Sequence, residues 1–132
     1  MKKFEKTSRN VEFYALCHEV CDDKNANAIF WACVRADIES IDDFMTFDWT
    51  KAYRVKGIGE TRLEFIKEMM LFVEDEEKIQ HMLETNVILR KFYDDDFQKR
   101  VIELEDGIYS PVKIARVLNI DESFARVIRR WA

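Results

Sequence analysis

The side chains best suited to chemistry are cations gathered in two places. Between Lys51 and Lys67 five basic residues (Lys51, Arg54, Lys56, Arg62, Lys67) stand against Glu60 and Glu64. From Pro111 to the end another five (Lys113, Arg116, Arg126, Arg129, Arg130) stand against Asp121 and Glu122. The chain as a whole carries -5, and each island carries +3, so the remainder carries -11. Local positive charge in an acidic chain points to an anionic partner with a definite footprint rather than to general stickiness. The first island contains Gly57-Ile58-Gly59 just ahead of a helical pattern. Two glycines let a backbone turn tightly and approach a phosphate, and the amides of the following helix start would point at it.

Other chemistry-bearing groups have simpler readings. Cys17, His18, Cys21 and Cys33 include zinc-ligand types, but adjacent helical residues such as Cys17 and His18 diverge, so reduced, buried thiols and no metal are expected. The acidic runs 74–77 and 94–96 lack the glycine-containing loop of a calcium site and sit where helices begin. No phosphate loop, nucleophile elbow or zinc-protease motif is present, so no catalytic residue is assigned and an enzyme is not expected.

The elements that must position these groups are helices. Three glycines and one proline in 132 residues are too few turn formers for a β-rich chain. Ser8 is expected to cap a first helix, and a second, apolar on most sides, is expected over 25–36. Ser40 and Asp48 precede short helical segments. A strong helix follows Gly59, with Gly59 expected to need a positive φ. A connecting helix carries Ile79, Leu83 and Val87, and Asp94 opens another helix. Pro111 sits at the first turn of a helix that ends at Asn119, and a final helix covers 121–131. Its Phe124, Val127, Ile128 and Trp131 are expected in the core, with Glu122, Ser123, Arg126, Arg129 and Arg130 facing outward.

Two resemblances follow. Val55-Lys56-Gly57-Ile58-Gly59-Glu60-Thr61-Arg62-Leu63 matches the helix-hairpin-helix pattern. With Ile38-Glu39-Ser40-Ile41-Asp42-Asp43-Phe44 upstream, the stretch 25–73 resembles the C-terminal domain of the bacterial RNA polymerase α subunit. The family's DNA-contacting Arg and Asn fall near Ala28 and Trp31, and its lysine after the hairpin near Thr61. The resemblance therefore implies the fold more than its minor-groove contact. The stretch 97–131 resembles helix-turn-helix domains of the homeodomain-like, transposase or σ-region-4 type, the diagnostic part being 110–128 with Ala115 at the helix crossing and Asn119 at the turn.

The expected architecture is all-α. A helix-hairpin-helix (SAM-like) module within 1–73 is joined by a helix over 74–92 to a tri-helical helix-turn-helix over 93–132. The resemblances imply a small DNA- or RNA-binding regulator of transcription or replication, with RNA polymerase or another protein as a possible partner. The expected contacts are Lys56, Gly57, Gly59, Thr61, Arg62, Lys113, Ser123, Arg126, Arg129 and Arg130. The alternative is an acidic adaptor or inhibitor that docks on a protein through surface aromatics such as Trp49 and Tyr53. No cofactor, membrane or small-molecule substrate is expected, and a cytoplasmic location is.

Overall fold

A computed structural model describes residues 2–104, 107 and 109–131, with side chains over 7–104, 107 and 109–129. The chain is all-helical, with no strand among the described residues. Helix α1 (Lys2–Val20) is the centre of the molecule, in contact with most of the other helices. Its middle explains why: Phe13, Tyr14, Ala15, Leu16 and Cys17 are consecutive, and all are buried. A helix apolar on every side has no solvent face to offer and must be surrounded. Because α1 starts at Lys2, Ser8 lies inside it rather than capping it, and its hydroxyl meets the Tyr93 hydroxyl at 2.7 Å.

Around α1 stand α2 (Asp23–Arg35), α3 (Ile41–Thr46), a 3-10 segment (Trp49–Arg54) and α4 (Glu60–Glu74). Asp22 caps α2, accepting from the Asn25 amide at 2.8 Å, which moves that helix start upstream of residue 25. Asp37 closes α2 at φ 65°, with Asp37 and Ile38 amides donating back to Val34 and Cys33 carbonyls. That is a left-handed helix stop, which a short polar side chain tolerates. The connecting stretch is two helices rather than one, α5 (Glu76–Thr85) and α6 (Val87–Phe92). Asn86 caps α6, breaking the stripe that would have linked Val87 to Leu83, and Val87 is 79% exposed.

The last helices are α7 (Asp95–Glu103), α8 (Pro111–Leu118) and α9 (Glu122–Trp131). Ser110 caps α8 with Pro111 in its first turn, and Asn119 ends it at φ 55°, ψ 55°. Helix α9 packs on α8 and also on α1. One file of rings runs through the core from Phe44 to Phe13, Phe30, Tyr14, Phe124, Phe97 and Phe92, with successive centroids 5.1 to 6.0 Å apart. Aromatic pairs at such separations add about 0.5–1.5 kcal/mol each beyond their buried area. Phe124 of α9 is thus held by Tyr14 of α1, far away in the chain.

A candidate nucleic-acid interface

Helix α2 carries residues 23, 27, 31 and 35 on one stripe, because four residues make about one helical turn. The stripe changes character along its length. At its start, Asp23 and Asn27 line a cavity of about 360 Å³ with Tyr14, Glu19, Asp121 and Ser123. In the middle, half-buried Trp31 lines a cleft of about 680 Å³ with Pro111, Arg126 and Arg129. Among the described residues no carboxylate lines that cleft. At its end, Arg35 and Ala32 meet the glycine hairpin. A β-carbon built on Gly57 would stand 3.5 Å from both the Ala32 Cβ and the Arg35 Nη2.

The first basic island therefore abuts one end of the α2 stripe, and the second faces its middle. Lys56 and Thr61 are exposed beside the hairpin. Gly59 is the N-cap of α4 and offers no side chain, so the first-turn amides have no side-chain partner. Arg62 is committed differently from its expected role: its Nη1 donates to the Gly57 carbonyl at 2.9 Å and its Nε to Asn25 Oδ1 at 3.4 Å. It clamps the hairpin to the start of α2. The positive φ belongs to Gly57, at 96°, and not to Gly59, whose φ is −91° in the extended region. Ile58 packs against the core from within the turn.

In α9, Phe124, Ala125, Val127 and Ile128 are buried. Arg126 is exposed, with its Nη2 donating to Glu122 Oε1 at 3.1 Å, and Arg129 is exposed beside it. Ser123 does not face outward. It is half-buried and takes the Tyr14 hydroxyl at 3.0 Å, because α1 occupies that side of α9. The same Tyr14 hydroxyl lies 3.2 Å from Asn27 Oδ1, so one phenol spans from α2 to α9. Burial pushes its pKa up from 10.0 to about 12, which extends its role as a hydrogen-bond donor into the alkaline range. Lys113 is exposed, with its ammonium 5.0 Å from the centroid of the Tyr109 ring. The Arg130 side chain and the expected core residue Trp131 lie outside the described side chains.

Two site residues escaped the sequence reading, Trp31 and Arg35. The signal was their i, i+4 spacing on an otherwise apolar helix, which reads as core until the neighbours of that face are known. The thiols of Cys17, Cys21 and Cys33 are buried and free, and the His18 Nδ1 meets Asp23 at 3.0 Å. Of the two surface aromatics, Tyr53 is 76% exposed, whereas Trp49 is half-buried with its indole N–H donating to the Phe44 carbonyl at 2.9 Å. Among the described residues no helix is long and apolar enough to cross a membrane. Comparison with known proteins finds no matching family model, curated protein or solved structure.

Proposed function

We propose that this protein is a nucleic-acid-binding regulator acting in transcription or replication control, and that its contact surface is the cleft between Trp31 of α2 and the α9 arginines, with the glycine hairpin beside it. The observation that carries the reading is the Trp31 cleft. Two exposed arginines and an indole line it, Arg129 beside Arg126, whose Nη2 donates to the exposed Glu122 carboxylate, and the hairpin joins the same stripe one turn on. Arginine and an aromatic plane are the pair that nucleic acid engages through phosphate and base together. The uncapped start of α4, with Lys56 beside it, supplies a sequence-independent phosphate contact. The resemblance of 25–73 to a polymerase domain supports a place near transcription machinery.

The test is a salt titration with duplex and single-stranded probes. Changing Arg126, Arg129 and Arg130 to Gln should weaken binding and flatten the log–log salt dependence. The expected change in slope is about 0.9 per lost duplex phosphate contact, or about 0.7 on a single strand. Lys56→Gln should give a smaller loss that is the same for every sequence. Absence of binding to any probe at low salt would remove this reading. It would leave the protein-docking adaptor, which draws on Tyr53, Leu71 and Val87, exposed by 76%, 69% and 79%.

A further inference from the structure

A helix that reads duplex DNA needs room on both flanks. The helix with its side chains is about 10–12 Å across, and the major groove that receives it is about 12 Å wide. Helix α9 does not have that room. Residues Phe124, Ala125, Val127 and Ile128 are buried, and Ser123 is tied to Tyr14 of α1. Only the line Glu122, Arg126, Arg129 is exposed among its described side chains, and Trp31 stands opposite the two arginines. Asp121 directly precedes the helix and Glu122 opens its first turn, the part of a recognition helix that meets base edges, where a phosphate backbone would be repelled. Glu19, Asp23 and Asp121 line the adjoining cavity at the start of the α2 stripe, so a broad duplex face would meet carboxylates there.

A single strand asks for less: one narrow positive track and one aromatic plane. The cleft supplies both. It is a shallow, solvent-open cleft, the form that suits a strand lying across it. The Trp31 indole meets the Phe30 ring edge-on, at 5.0 Å and 85°. We propose that the cleft between α2 and α9 seats single-stranded nucleic acid, one base stacking on Trp31 while Arg126 and Arg129 hold the flanking phosphates. This rests on the nucleic-acid reading above and names the form of nucleic acid that the site takes.

The experiment is fluorescence anisotropy of the full chain with a labelled oligonucleotide, its duplex form, and polyglutamate as an acidic-peptide probe. The single strand should bind roughly tenfold or more tightly than the duplex. Trp31→Ala should cost about tenfold on the single strand without changing the salt slope, since stacking releases no counterion, and Trp31→Phe should restore much of the loss. Arg126→Gln with Arg129→Gln should instead lower the slope. An iodouracil-substituted strand should photo-crosslink to Trp31, a readout that needs no variant to fold. Preferential duplex binding, a neutral Trp31→Ala, or crosslinks confined to other residues would overturn the inference while leaving nucleic-acid binding intact. Polyglutamate binding as tightly as the oligonucleotide, with the same dependence on Trp31, would make the cleft an acidic-peptide site and also overturn it. No binding to any nucleic acid would instead bring down the broader reading.

Discussion

Gly57 turns the hairpin at φ 96°, a conformation that a β-carbon opposes even though the 3.5 Å clearance to Ala32 and Arg35 would admit one. Gly57→Ala should therefore cost about 1–2 kcal/mol, a melting point lower by roughly 3–8 °C. Gly59 sits at φ −91° with nothing within 4 Å of an added β-carbon, so Gly59→Ala should change stability little. Gly59→Asp, which could cap α4, should be neutral or raise the melting point slightly. Thermal denaturation of these variants checks the order. A second residue-scale effect concerns protons. Burial pushes the Cys21 and Cys33 thiols from 9.0 to about 12 and the Tyr14 and Tyr93 phenols from 10.0 to about 12, and it raises Cys17 as well. Each group keeps its proton in the folded chain at pH values where the unfolded chain has released it. Stability is thus fully present below pH 9 and falls as pH rises from about 9 toward 12. Urea midpoints taken from pH 8 to 11 should decline steadily, and Cys33→Ala should make the decline shallower.

At the scale of elements, helix starts repeat one device. Asp22, Ser40, Asp75, Asn86, Asp94 and Ser110 each accept a hydrogen bond from an amide three residues on, and Asp48 does so from Thr50. The caps at Ser40, Asp48 and Asp94 were legible because the acceptor and the orphan amide are near neighbours in the chain, whereas Asp22 and Asn86 begin helices that the apolar pattern alone did not place there. Ser8 misled for the converse reason. A residue of cap type inside a longer helix looks the same in sequence, and the Ser8 hydroxyl is engaged by Tyr93 instead of an orphan amide. The turn between α8 and α9 is where an element-scale prediction is sharpest. Asn119 adopts φ 55° and its carbonyl accepts the Lys91 ammonium at 2.6 Å. Asn119→Gly should be neutral or slightly stabilising, Asn119→Val should cost about 1–2 kcal/mol, and Ser110→Ala about 1 kcal/mol, all readable from denaturant midpoints.

Across the whole molecule, α1 joins the two ends of the chain. The ring file passes from Tyr14 to Phe124 and Phe97, and α9 buries Ala125 as well as Phe124. A fragment of residues 93–132 would expose those side chains, and about 40 residues seldom form a sufficient core alone. The isolated fragment should be largely unfolded by circular dichroism and recover helix only when a fragment carrying α1 is added. A cooperatively folding fragment would show that the α1 contact is dispensable.

Most helix positions, several caps, the left-handed Asn119 and the two basic islands could be read from the sequence alone. They depend on spacing of a few residues, on charge and on backbone preferences that act locally. The composition of the candidate site could not. Trp31 and Arg35 read as part of a buried helix until the hairpin and α9 were placed against their face. Ser123 read as solvent-facing until α1 took that side, and Arg62 as a free cation until its guanidinium reached Gly57 and Asn25. Those outcomes turn on which helix face meets which partner across as many as 109 residues of chain, as in the Tyr14–Ser123 bond. Local preference leaves that choice open, and burying the apolar surface of α1 on all sides settles it.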